Sequence, residues 1–482
     1  MAIPDLSQLS HAQKDELILM LTQRIEVLQN DLLALQRAVL DLQARLALNS
    51  TNSSKPPSSD GLNKPKPKSL RKAGQKPSGG QKGHTGTTLC QVAEPDNVVL
   101  HAPPLVCDGC KRRLKTASVV ETRQVFDLPV VQMEVTAHQL LEVRCTCGKL
   151  HRGQFPKEVS SAVQYGPAAL AAVVHLNQHH MLPVQRTAVL MGELFNLPMA
   201  QAIVLKACKT AAQLLQPTVD AIAQALQAAP VLHVDETGMR VNKILHWMHG
   251  AATETLTWVG VHAKRGSQAF DDLGILLNFK GTLIHDGWKP YRALNCLHGL
   301  CNAHHLRELT YVFEELKQDW AEDMILLLTH ANHVDNVNYA MPVRLNYDGL
   351  AHRRQVQGFR DLYEAILDQG DAVNPRAPAS AKRGVTKQSK PTNLLKRLRE
   401  YGDDVWRFMT AHDVPFTNNI AEQTMRMTKV KQKISGCFRT LKGAKTFCVI
   451  RSYLATMHKQ GASLFESLIQ TFKGNTPQPR FA

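Results

Sequence analysis

Residues 231–300 spell out a sheet rather than a helical bundle, and that stretch limits the fold more than any other. "VLHVDETGMRV" has the apolar, β-branched character of a strand that ends in a carboxylate, Asp235. "ILHWMHGAATETLTWVGVHA" alternates through Trp247 and Trp258 and reads as a strand pair, whereas "SQAFDDLGILLNF" has helical spacing. "GTLIHDGWKPY" is a further short strand ending at Asp286, with Gly287 to turn the chain. "LHGLCNAH" is one more strand before a long helical stretch. The expected order is three strands, a helix, a strand, a helix, a strand and then helices.

That is the ribonuclease H-like order, with Asp235 in the first strand and Asp286 just past the fourth. Phosphodiester chemistry needs charge neutralised at the attacking, leaving and phosphoryl oxygens, and two hard cations about 3.5–4 Å apart supply it. Magnesium takes oxygen ligands, so a few converging carboxylates suffice. The two acids are 51 residues apart, room for two strands and a helix, and adjacent parallel strands would set them side by side. The plainer alternative is that each merely begins a turn. Glu236 points to the opposite face of a strand, and Asp271 and Asp272 suit a solvated helix face.

A third acid, Glu422, stands 136 residues beyond Asp286. A strand-and-helix crossover needs only about 30, so an insertion is expected. Helical patterns at 314–369 and 393–409, split by "NPRAPASAKRGVTKQSKP", supply it. Residues 423–465 then carry nine Lys or Arg and no Asp or Glu. On a helix, Asn418, Arg426, Lys429 and Lys433 share the face of Glu422. Ile420, Met427, Val430 and Ile434 take the side expected to be buried, and Asn418 or Asn419 suits the N-cap.

The net charge of +16 favours nucleic acid or an anionic surface as partner. No run of about 18 apolar residues marks a membrane span, and "MAIPDLSQLS" is not a signal-peptide pattern. Ten cysteines then read as reduced thiols or metal ligands. Ile18, Leu21, Ile25, Leu28, Leu32, Leu35, Val39, Leu42 and Leu46 recur at alternating intervals of three and four. Such a heptad seam fits self-association or one amphipathic helix packed on its own protein. The Pro-, Gly-, Ser- and Lys-rich stretch that follows reads as a disordered basic linker, a tether or a non-specific phosphate contact. Cys107 and Cys110, then Cys145 and Cys147, flank a β-rich stretch whose alternating face is Val135, Ala137, Gln139, Leu141 and Val143. They fit one tetrahedral zinc site or four unrelated thiols. The helical patterns around "FNLP" permit a helix-turn-helix or an ordinary helical pair. His175 and His179, four apart, suit a core or solvated pair better than a metal site.

The array of "HVDETG", "HDGWKPY", "CNAHHLREL" and "FTNNIAEQTMRMTKVKQKISG" resembles the transposases of the bacterial insertion sequence sixty-six family. "NSSKPPSSDG", "GGQKGHTG" and "RQVFDLP" resemble that family's linker and zinc-binding region. The resemblance implies a DDE-type enzyme with Asp235, Asp286 and Glu422 as catalytic metal ligands, and Cys301 and His304 on a Cys-x-x-His element. The chain departs from the family's pattern at "HLRE", where a basic pair is usual, and at "KISGCFRT" in place of a Lys-Asn-Trp segment. The implied cofactors are two Mg²⁺ (or Mn²⁺) ions at the acids and one structural Zn²⁺. The implied partners are double-stranded DNA, at least one further copy of the chain, and companion proteins of the same element, in a bacterial cytoplasm at the nucleoid. Arg426, Lys429, Lys431, Lys433 and Arg439 are the candidate DNA contacts. A DNA-binding regulator, or a nuclease that cuts without joining, is the alternative.

The expected organisation is multidomain, α+β and α/β. A coiled coil (1–48) and a linker (49–90) precede a zinc-binding β domain (91–160) and a helical domain (161–229). A ribonuclease H-like core (230–310 and 411–482) follows, interrupted by a helical insertion (311–410).

Overall fold

The computed structural model describes residues 10–46, 89–115, 118–128, 131, 133–156, 158–340, 349–377, 386, 388–411 and 413–481. All but the last two residues of the expected linker lie outside these. Helix α1, His11–Leu46, runs unbroken for 36 residues. On it Ile18, Leu21, Ile25, Leu28, Leu32, Leu35 and Val39 are exposed rather than packed into a core. No described helix is long and apolar enough to cross a membrane.

In the cysteine-bearing region β1 (Glu142–Arg144) pairs antiparallel with β2 (Leu150–Arg152). The strand is shorter than the sequence suggests, because residues 133–141 lie outside any ladder. Alternation gives strand propensity, but only a partner makes a strand, and the return limb offers three residues.

A helical layer follows. α2, Pro167–Val174, starts on a proline at its first turn and runs into a π-helical turn at His175–His179. α3, Val184–Phe195, ends at Asn196 in the left-handed conformation (φ 47°). α4, Gln201–Gln227, continues through Pro217, and its stripe of Val204, Ala207, Cys208, Ala211, Leu215, Val219, Ile222 and Leu226 is buried. That stripe makes α4 a scaffold helix.

The central sheet comprises β3 (Val231–Val241), β4 (Ile244–Ala252), β5 (Thr257–His262), β6 (Thr282–His285) and β7 (Leu297–Leu300), with α5 (Ser267–Leu273) between β5 and β6. The strand order is β5-β4-β3-β6-β7. β3, β4 and β5 run antiparallel, while β6 is parallel to β3 and β7 to β6. Two expectations change. Asp235 does not end its strand, for β3 pairs with β4 as far as Val241. A 3₁₀ turn at Lys289–Ala293 stands where a helix was expected. Only 11 residues separate β6 from β7, too few for a full helical crossover. Trp288 and Tyr291 anchor the turn on Phe270 instead.

The insertion is helical, as its periodicity indicates: α6 (Asn302–Leu316), α7 (Asp319–Ala340), α8 (Leu350–Val373), α9 (Lys390–Glu400) and the single turns α10 (Gly402–Val405) and α11 (Arg407–Thr410). Its core includes Trp320, Leu328, Tyr363, Leu367, Leu398 and Trp406, and is continuous with Ile284 of β6 and Leu300 of β7. α12 (Asn419–Ser435) then lies on β3 and β4, α13 (Leu441–Lys459) on β5 and α4, and α14 (Leu464–Phe472) on α2 and α4. α13 closes the sheet's edge. Ser452 Oγ accepts the Val259 N–H (2.8 Å), and Thr456 Oγ1 accepts the Thr257 N–H (3.0 Å). Amides that would otherwise offer a pairing edge are satisfied in this way.

Trp406 is fully buried, stacked near Phe359 and Phe408 and edge-on to Tyr363, and its Nε1–H has no partner. Trp406→Ala is expected to destabilise the insertion by about 3–5 kcal/mol. Trp406→Phe should cost less, since it also removes the unpaired donor. Denaturant midpoints followed by tyrosine and tryptophan fluorescence check both.

Candidate active site

The register of β3 on β6 pairs His233 with Ile284. Carried two residues further along both strands, it sets Asp235 beside Asp286. The acids therefore meet where the parallel pairing ends and the sheet opens. Asp286 Oδ1 accepts the Trp288 N–H (2.9 Å), a turn that Gly287 permits with its φ of 88°. Behind it His285 is fully buried, with Nδ1 accepting the Gly287 N–H (3.0 Å) and Nε2–H directed at His298 Nδ1 (3.1 Å). Burial holds His285 well below the usual histidine range, so this prop is neutral.

Glu422 comes from the first turn of α12. The helix buries Ala421, Met425 and Thr428 most deeply; of the side that the sequence suggests, Met427 and Val430 are partly buried against the same core, whereas Ile434 is exposed. The reason is a close approach to β4, where a Cβ on Gly250 would overlap Met425. Asn418 is the N-cap by position, yet its side chain makes no capping bond. It is turned onto β3, with Oδ1 accepting from His233 Nδ1–H (2.9 Å) and Nδ2 donating to Val234 O (2.8 Å). Its own N–H donates to Cys301 Sγ (3.1 Å), the N-cap of α6. One residue thus ties together the elements that carry Asp235, Cys301 and Glu422.

Around Glu422, Oε1 lies 4.0 Å from Cys301 Sγ and 3.8 Å from His304 Nδ1, while Oε2 lies 4.0 Å from Arg307 Nη2. Cys301, His304 and Arg307 are three apart on the first two turns of α6, so they share one face.

The electrostatics mark a charge deficit. Burial raises the Asp235 pKa well above the ordinary range, and Glu236, Asp286 and Glu422 push it the same way. A buried carboxylate raised further by its like-charged neighbours fits a bound cation, and all three donors are hard oxygens suited to magnesium. Glu236 belongs to the other face, where Arg265 (2.6 and 2.8 Å) and the Tyr291 hydroxyl hold it. Asp271 and Asp272 are exposed.

Of the candidate DNA contacts, Arg426, Lys433 and Arg439 are exposed. Lys429 is engaged by Gly238 O (2.6 Å), and Lys431 bonds Ser435 Oγ (3.1 Å) and sits 4.1 Å over the Phe438 ring. Burial lowers both lysine pKa values. These two serve the packing of α12.

The zinc candidates fall on two tight turns. Cys107 O accepts the Lys111 N–H (3.0 Å) and Cys145 O accepts the Gly148 N–H (2.9 Å). Backbone amides of Cys110 and Gly109 lower the Cys107 pKa, and those around Cys147 lower that of Cys145. No three of the four sulfurs approach within 4.8 Å of one another. His175 and His179 stack at 5.0 Å, with their Nδ1 atoms buried and unpaired.

Asn418→Ala leaves His233 Nδ1 and Val234 O without partners and should cost about 2–4 kcal/mol, measurable by thermal melting. For Asp235 the folded-state pKa is raised, so without metal the folded chain binds the proton more tightly than the unfolded one. Its contribution to stability therefore falls as pH rises from the ordinary aspartate range through the raised value. Asp235→Asn should raise the melting temperature of chelator-treated protein at neutral pH, and the gain should shrink towards acid pH. Scanning fluorimetry across pH tests this.

No curated protein matches the chain. A family of unknown function matches residues 1–89, and the zinc-finger binding domain of transposase IS66 matches residues 104–148. The profile of the Transposase IS66 family matches residues 162–446, from the helical layer through the acids and the insertion to α13. With more than half of its 482 residues so matched, the chain belongs to the IS66 transposase family.

Proposed function

We propose that this transposase cleaves phosphodiester bonds at the ends of its element and joins the freed 3′-hydroxyls to target DNA, using one site on a ribonuclease H-like core. The observation that carries this reading is the Asp235–Asp286 pair at the end of the β3–β6 register, with Glu422 close enough to raise the Asp235 pKa. Asp235, Asp286 and Glu422 would hold two Mg²⁺ or Mn²⁺ ions, which when bound neutralise charge on the attacking, leaving and phosphoryl oxygens. Asp235 and Asp286 stand on a rigid sheet. Glu422 is positioned by a helix that Asn418 fastens to that sheet. Arg426, Lys433 and Arg439, exposed on and just beyond α12, hold phosphates against the site.

Cys107, Cys110, Cys145 and Cys147 would bind one structural Zn²⁺, for which their donor set is suited. The exposed seam of α1 joins two copies as a coiled coil, so that two element ends are held by one assembly.

Strand transfer with end DNA, target DNA and Mg²⁺ tests the reading. Asp235→Asn, Asp286→Asn and Glu422→Gln should each reduce both cleavage and joining by at least about a hundredfold, the scale of losing a transition-state charge contact. Unchanged joining would remove that residue from the site, and cleavage without any joining would make the protein a nuclease. Replacing Arg426, Lys433 and Arg439 with Gln should make DNA affinity less sensitive to salt. The logarithmic slope should fall by roughly 0.9 for each phosphate no longer neutralised. Lys429→Gln and Lys431→Gln should instead lower stability.

A further inference from the structure

Cys301 and His304 have no part in the acid pair, yet both face Glu422. We infer that Cys301, His304 and Glu422 form a binding site for one divalent cation of the zinc class, separate from the four-cysteine finger. An ion bound there takes Glu422 from the acid pair. The consequence for catalysis rests on the catalytic reading of Glu422; the binding site does not.

The geometry carries the assignment. Among the described residues, these three have ligand atoms that all lie within 4.8 Å of one another. Sγ and Nδ1 stand 4.0 and 3.8 Å from the same oxygen, Oε1. A tetrahedral zinc with ordinary Zn–S, Zn–N and Zn–O bonds separates such atoms by about 3.4–3.6 Å. A contraction of a few tenths of an ångström therefore brings both atoms to ligand spacing from Oε1, and Sγ and Nδ1 already lie within 4.8 Å of each other. Cys301 and His304 begin α6 and Glu422 begins α12, and the Asn418 amide joins those two helix starts.

Three further details fit an ion. His304 Nδ1 is buried and makes no hydrogen bond, so its ligating atom is uncommitted. Cys301 Sγ receives the Asn418 N–H at 3.1 Å, the kind of outer contact that orients a metal-bound thiolate. Arg307 stands 4.0 Å from Oε2, which leaves Oε1 to the ion.

The donors decide the class. Sulfur, imidazole nitrogen and one carboxylate oxygen suit zinc and its neighbours and are wrong for magnesium. Asp235 and Asp286 offer oxygen alone. Glu422 is thus shared between a hard site and a soft one, and the two occupants compete for it.

The test uses the full-length protein dialysed against Zn²⁺, with bound zinc counted by mass spectrometry. Cys301→Ser, His304→Ala and the near-isosteric Glu422→Gln should each bind one zinc fewer than wild type. A Cys107→Ser/Cys110→Ser variant should still lose zinc when His304→Ala is added. In Mg²⁺-supported cleavage, zinc should inhibit wild type and act on His304→Ala only at concentrations at least about tenfold higher. Equal zinc counts in folded wild type and in all three single variants would overturn the site. Zinc counts as expected, in a wild type that never cleaves DNA with Mg²⁺, would refute the catalytic reading and leave this site standing.

Discussion

The structure turns on Asn418. Two hydrogen bonds from its side chain and one from its backbone fasten β3, α6 and α12 at one point. All three bonds are buried, with Asn418 at 1% exposure, so none competes with water. Each partner would otherwise be a stranded polar group, which makes the junction costly to open. The chain reaches this residue only after the whole insertion. A short polar side chain therefore resolves a long-range problem, placing a carboxylate against a sheet that was laid down more than a hundred residues earlier.

The sheet supplies the other constraint. Parallel pairing of β3 with β6 stops at His233 and Ile284, while antiparallel pairing with β4 continues to Val241. β3 thus has one neighbour ending just where the other carries on. The gap on its β6 side leaves Asp235 and Asp286 together, both half-buried, while β4 backs the strand beneath Asp235. The insertion reinforces the short strands, since Ile284 and Leu300 belong to its core. It is a buttress as well as an added unit.

Much of this is legible in the sequence. Apolar alternation locates all five strands of the sheet, and the short strand before "DGW" locates Asp286. Helical periodicity locates the insertion and α12. Other features depend on tertiary contacts that periodicity does not encode. The most deeply buried face of α12 is shifted from its apolar stripe, of which Met427 and Val430 still pack on the core, because Gly250 admits Met425 at close range, and no pattern within α12 records a glycine on another element. Asn418 has the composition of an N-cap, but its amide finds stronger partners on β3. The 3₁₀ turn replaces a helix because the connection is short and its aromatics bind Phe270. Arg307 has a signal in its three-residue spacing from His304, and nothing in the local sequence ties it to Glu422. The cysteine spacing picks out both pairs of candidate ligands, whereas the extent of the strands between them depends on partners that spacing cannot show.

The edge seal on β5 has a consequence for how the molecule comes into being. A nascent chain that has emerged only as far as β7 already contains the sequence of every strand of the sheet, Asp235 and Asp286 included. It has neither the hydroxyls of Ser452 and Thr456 nor the carboxylate of Glu422. The open edge and the incomplete acid set are remedied by consecutive helices, α12 and α13. Protection from edge pairing and completion of the acid set therefore arrive almost together, late in synthesis.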